Sequence, residues 1–304
     1  MKGAIVLIFI SCLLIACNVK KKERGIVVIQ TDFGVKDGAV AAMRGVGYGV
    51  SADLVIADLT HEIPVYNIWE AAYRLNQVID YWPANTVFVS VVDPGVGTER
   101  KSVVVKTKKN HYVVTPDNGT LTLVAESEGI DVIREIDEKV NRREGSSASY
   151  TFHGRDVYMY TAARLASGTI SFEEVGPILT GPVQAISYQR ATLSNGLIKG
   201  NIPILDIQYG NVWTNIPDSL IKKARITTGD SLSVQILFKD SLTYSGRIPF
   251  VNTFGGVAVG NPLSYMNSLM NFSLAINMGN FAKTYSIGTG AEWSITIKND
   301  RGGN

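Results

Sequence analysis

Cysteine is almost absent from this 304-residue chain: there are two, Cys12 and Cys17, both near its start. A disulfide framework, a thiolate metal site and a cysteine nucleophile are therefore excluded from everything after residue 17. Charge is also scarce, 18% against about 25% in an ordinary globular protein. It is nearly balanced as well, with 29 Lys plus Arg against 27 Asp plus Glu for a net +2, so nothing general attracts nucleic acid. With 45% hydrophobic residues the chain is too apolar to remain disordered, and its length suits two domains of common size. Imidazole is limited to His61, His111 and His153.

One long apolar run occurs, from Ala4 to Ala16 behind Lys2. It is too short to span a bilayer and has the length of a secretory signal core. Its end, Leu14-Ile15-Ala16-Cys17, resembles a bacterial lipobox, which implies a signal peptide over 1–17, lipidation at Cys17 and a polar linker over 18–24. The expected location is then the cell envelope, lipid-anchored to a membrane, or the cytoplasm if the signal is misread.

From Gly25, short β-branched runs alternate with amphipathic stretches, the pattern of an α/β domain with a mainly parallel sheet. Ile26 to Thr31, Leu54 to Ala57, Thr86 to Val92, Ser102 to Lys106 and Tyr112 to Thr115 read as strands. Val40, Met43, Val46 and Val50 share helical spacing, as do Ile68, Ala72, Leu75, Ile79 and Trp82. A third helix is expected after His153, stopped by Gly168. This domain is placed at 25–186. Beyond Ala191 only alternating segments remain, such as Leu232 to Phe238, Ser273 to Asn277 and Trp293 to Lys298, so 191–299 is expected to be a small all-β barrel.

Acids recur at strand ends: Asp32, Asp58, Asp93 and Asp117. In an open α/β sheet that is where ligands bind, although Asp before Gly is also ordinary turn chemistry. Thr31 to Asp37 looks superficially like the calcium loop of nucleoside hydrolases, but Gln30 and Gly38 stand where further acids are needed and Lys36 opposes a cation. No metal or cofactor is expected. Asp93 to Arg100 forms a Gly-rich loop with an acid and a guanidinium at its ends, and Phe152-His153-Gly154-Arg155-Asp156 leads into a helix. Acid, arginine and histidine are the parts of a base and its orienter. His61 and His111 read as structural.

Taken together, Thr31-Asp32-Phe33-Gly34, Asp93 to Thr98 with Arg100, Pro116-Asp117-Asn118-Gly119, Phe152 to Asp156 and Gly210 to Asn215 resemble the S-adenosylmethionine (SAM) hydroxide adenosyltransferases, relatives of fluorinase and chlorinase. The resemblance implies a homotrimer with sites between one subunit's α/β domain and its neighbour's β domain. It implies hydrolysis of SAM at C5′ to adenosine and L-methionine, with Asp93, Arg100 and His153 holding and polarising the water. It also implies a substrate set: Asp32 on the ribose hydroxyls, Asp37 and Asp206 near the ammonium, Tyr66 beside the ribose, Asn211 at the adenine edge, and Tyr209 and Phe254 as pocket aromatics. Asn267, Ser268 and Met278 belong to its late loops. Leu269 and Ala39 stand where fluorinase has an Arg and a Ser at the carboxylate, which leaves a related adenosyl nucleoside open as substrate. Gly154 and Val96 replace the Ser and Thr that fluorinase places near its halide. A lipid-anchored nucleoside- or SAM-binding protein without turnover is the other reading.

Overall fold

The computed structural model describes residues 25–300; the signal segment, the linker and Cys17 lie outside the described residues. Chain order in the first half is β1 (Ile26–Thr31), α1 (Ala39–Val50), β2 (Val55–Thr60), α2 (Ile68–Val78), β3 (Val87–Val91), β4 (Ser102–Thr107), β5 (Tyr112–Pro116), α3 (Thr122–Ser127), β6 (Ile130–Glu135) and α4 (Tyr160–Ser167). The strands form one sheet ordered β2-β1-β3-β5-β4-β6. The first four are parallel, and β4 runs antiparallel to both its neighbours.

Both faces of this sheet are covered, which is why its central strands are continuous apolar runs. Val27, Ile29, Val89 and Val91 pack with Met43 of α1 and Ala162 of α4 on one face. Val28 and Phe88 pack with Leu75 of α2 and Val124 of α3 on the other. The expected helix after His153 begins as a π-helical stretch over Gly154–Met159 and becomes α-helical only at Tyr160. Gly168 ends it at φ 71°, a left-handed conformation that glycine adopts without steric cost.

The second half contains β7 (Thr192–Ser194), β8 (Leu197–Ile202), β9 (Ile204–Asp206), β10 (Asn211–Pro217), α5 (Asp218–Lys223), β11 (Ser231–Phe238), β12 (Ser241–Pro249), β13 (Pro262–Met266), β14 (Asn271–Ile276), α6 (Phe281–Tyr285) and β15 (Gly290–Asn299). The expected barrel is corrected: the strands make two antiparallel sheets, β13-β14-β10-β9 and β12-β11-β15-β8-β7. Closure would require the edge strands of the two sheets to pair along their length. Among the described residues one isolated bridge, Phe250 to Ser264, joins them instead. The sheets are held face to face by an apolar layer that includes Ile198, Val212, Val234, Leu274 and Ile297.

Candidate active site

β1 has β2 on one flank and β3 on the other, and α1 and α2 leave to opposite faces. That reversal opens a crevice beyond the carboxyl ends of β1 and β3. Asp32 follows β1 directly and Asp93 lies two residues past β3. Both line a cleft of about 240 Å³ with Phe33, Tyr66, Val96, Phe152, His153 and Gly154. Of the four strand-end acids, only these two meet. Asp58, on edge strand β2, pairs with Arg44 and the His61 ring. Asp117 accepts the Gln184 N–H at 2.8 Å, and burial pushes its carboxyl up.

The Asp93 side chain is 5% exposed. Arg100 Nε donates to its Oδ1 at 2.9 Å and to Oδ2 at 3.0 Å, and Nη2 also reaches Oδ2. The Tyr158 hydroxyl donates to Oδ2 at 3.3 Å. Burial, and then the Asp93 charge, push the Tyr158 phenol far up, so it stays a donor. Oδ1 thus takes a single N–H among the described residues and keeps a lone pair. Arg100 is fixed in turn by Ser102, whose Oγ accepts from Nη1 at 2.9 Å.

His153 is 4% exposed, and its Nε2 lies 3.1 Å from Arg142 Nη2. Its Nδ1 is buried with no partner among the described residues. A Cβ at Gly154 would press to 3.2 Å from the Phe33 ring and 3.3 Å from Val91, so the floor of the cleft is already closed by these side chains. Glu138, Arg142, Ser102 and Tyr158 were not singled out by sequence reasoning. Glu138 and Arg142 do have the four-residue spacing of an ion pair, but they lie between β6 and the π-helical stretch, where no periodicity marks them.

Asp32 Oδ2 accepts the Tyr66 N–H at 2.9 Å, holding at φ 68° a residue that is 69% exposed. Asp37 is exposed and accepts the Ala39 N–H at the start of α1; it does not line the cleft. The residues expected from the second half form a separate group. Asn211 Nδ2 donates to Asp206 Oδ2 at 3.0 Å across the β9–β10 hairpin, whose turn exposes Tyr209. Phe254 rests on Tyr265 with ring centroids 5.0 Å apart, and Met278 is 86% exposed. Asn267 is buried and its amide is used up inside a turn, donating to Ser273 Oγ and accepting from the Leu269 and Asn271 N–H groups. Ser268 lines a different groove, of about 750 Å³, between α2 and the β13–β14 turn. None of these second-half residues lines the cleft of Asp32 and Asp93.

His61 and His111 are structural, as expected. The His61 ring bridges Thr31 and Asp58, and the His111 ring bridges Glu128 and the Trp82 carbonyl.

Comparison with known proteins gives a consistent result. Residues 27–176 match the SAM hydroxide adenosyltransferase N-terminal domain family and residues 200–294 the corresponding C-terminal domain family. The chain is 45% identical over 262 residues to the (R)-S-adenosyl-L-methionine hydrolase of Methanocaldococcus jannaschii, covering 84% of this chain and 86% of that protein. It is 27% identical to a fluorinase of an Actinoplanes species, over 89% of this chain and 97% of the fluorinase. The crystal structure of an uncharacterized conserved protein from Thermotoga maritima superposes with a TM-score of 0.82 at 33% identity, over 90% of this chain and 99% of that one.

Proposed function

The chain belongs to the SAM hydroxide adenosyltransferase family, and we propose on that footing that it hydrolyses S-adenosylmethionine to adenosine and L-methionine. The observation that carries the reading is the Asp93 carboxylate: buried, clamped by Arg100, and left with one free lone pair at a cleft that also holds Asp32 and His153.

The chemistry suits those groups. A water oxygen forms the C5′–O bond while the C5′–S electron pair returns to sulfur, turning the sulfonium into a neutral thioether. The leaving group needs no acid. One water proton passes to Asp93 and then to solvent, so SAM and water give adenosine, methionine and H⁺. Holding the water in line is worth much of the rate. The Asp32 carboxyl, with two acceptor oxygens, suits the two ribose hydroxyls. A carboxylate beside the nucleophile repels a halide but accepts a bond from water. In oxygen-18 water with saturating chloride, the expected product is adenosine labelled at O5′, with little 5′-chloro-5′-deoxyadenosine. Each sulfonium epimer is assayed separately, because the M. jannaschii relative is named for the (R) form. Binding of both epimers without turnover of either would reduce the protein to a nucleoside-binding module.

The cleft, at about 240 Å³, is below the usual 300–1,000 Å³ or so of ligand pockets. We propose that a homotrimer completes it, each neighbour bringing Asp206, Tyr209, Asn211, Phe254 and Met278. Lipidation of Cys17 and membrane attachment are likewise proposed, from the sequence of 14–17. Fatty-acid labelling that is lost in Cys17→Ser is the expected result, and an unmodified thiol by mass spectrometry would refute it.

A further inference from the structure

Beside the Asp93–Arg100 clamp, a second charged group abuts the cleft. Glu138 and Arg142 follow β6, and Arg142, with its side chain 8% exposed, turns Nη2 toward two acceptors. One is Glu138 Oε2 at 2.5 Å; the other is His153 Nε2 at 3.1 Å. The guanidinium is steadied over the Tyr150 ring at 4.7 Å. Glu138 Oε1 lies 3.5 Å from Ser102 Oγ, and Ser102 in turn takes Arg100 Nη1. A continuous set of polar contacts therefore runs from Asp93 to His153 through Arg100, Ser102, Glu138 and Arg142.

This arrangement constrains the imidazole. A guanidinium is donor-only, so the ring nitrogen facing it must accept. Glu138 Oε2 is 3.7 Å from Nε2, beyond hydrogen-bond range. The ring proton then belongs on Nδ1, the nitrogen that is buried without a partner in a residue lining the cleft. A water poised for attack needs one acceptor for a hydrogen and one donor to a lone pair, leaving its second lone pair for carbon. Asp93 Oδ1 supplies the acceptor.

We infer that Arg142, anchored by Glu138, is a positioning residue that fixes His153 as the Nδ1–H tautomer, so that His153 donates to the attacking oxygen and Asp93 receives its proton. The inference rests on the hydrolase reading for its chemistry, but its structural half stands apart from turnover. In Arg142→Met the nearest group to Nε2 becomes the Glu138 carboxylate, an acceptor. The tautomer should invert and leave Nδ1 bare at the cleft.

Nitrogen-15 NMR of the histidines reads this directly, and with three in the chain the signals can be assigned by substitution. The wild type should show a protonated-type Nδ1 and a bare Nε2 at His153, and Arg142→Met the reverse. The kcat of Arg142→Met should fall roughly tenfold to a hundredfold with KM little changed, and Arg142→Lys, which keeps a donor, should recover most of it. A wild-type spectrum with the proton on Nε2 overturns the inference even if Arg142→Met does not fold. So does a folded Arg142→Met with the wild-type tautomer and kcat. If the wild type turns over neither epimer, the hydrolase reading fails while the spectrum still decides the tautomer.

Discussion

Arg100 donates to both carboxylate oxygens of Asp93 and Tyr158 to one, and this limits the directions from which Asp93 can accept a water. In the proposed hydrolysis it aims the water through Oδ1 and takes the proton as the C5′–O bond forms. Asp93→Asn keeps the shape, but its amide nitrogen cannot accept from Arg100. The expected result is a fall in kcat of about 10²- to 10⁴-fold with nucleoside affinity within a few-fold, measured by single-turnover kinetics and calorimetry. Glu138 carries a different signature. In its imidazolium form the His153 ring, and then the Arg142 guanidinium, hold its carboxyl at about 2 against an ordinary 4.5, with partial burial opposing them. A carboxyl with a lower pKa folded than unfolded stabilises the native state above its unfolded value, and that contribution is lost as pH falls through the folded one. Denaturant titrations between about pH 4.5 and 2 should therefore show Glu138→Gln losing less stability on acidification than the wild type. Equal slopes would mean that the carboxylate is not held in solution.

At the scale of elements, the hairpin turn before β10 is where backbone conformation meets the residues proposed for the neighbour's side of the site. Gly210 sits at φ 68°, and a Cβ there would fall 2.0 Å from the Asn280 side chain, which caps α6 by accepting the Lys283 N–H. Gly210→Ala should cost on the order of 1–3 kcal/mol through backbone strain and the displaced cap, and should shift Tyr209 and Asn211 on either side. Thermal melts with nucleoside titrations would show both losses; an unchanged melting temperature would contradict the close contact. The same scale explains what sequence could and could not reveal. β1 and β3 were legible because strands buried on two faces are unbroken apolar runs, and α1 and α2 because one face of each repeats at helical spacing. β6 was not, since Asp131 and Arg134 interrupt it at a sheet edge. The π-helical stretch after His153 has no periodic signature at all. In the second half alternation marked strands, but pairing partners are non-local, so two open sheets read as a barrel. Asp32, Asp93, Arg100 and His153 were legible as motifs. Glu138 and Arg142 act through a fold that brings an irregular stretch against His153, and no local pattern announces that.

For the whole molecule, the question is where the second wall of the cleft comes from. Val65, Tyr66, Val96 and Tyr150 are exposed on the α/β half, where Val65, Tyr66 and Val96 line the cleft, while Ile207, Tyr209, Phe254, Val259 and Met278 are exposed on the other half. Exposed apolar side chains that form one patch mark association surfaces more often than free ones. None of the second set lines that cleft. Contact between different surfaces on successive copies closes into a ring when the rotation between them allows it, and the proposed trimer would place three such clefts at three equivalent junctions. The consequence is complementation. Asp32→Ala removes the cleft side of every site and Asn211→Ala the neighbour's side, so each homotrimer should be inactive. When the two variants are co-expressed and assemble at random, about a quarter of junctions pair an intact cleft with an intact neighbour, and roughly that share of wild-type activity should return. Sedimentation of the mixture must show mixed trimers for the comparison to hold. No recovery from mixed trimers, or full activity in a wild-type monomer, would place the whole site within one chain.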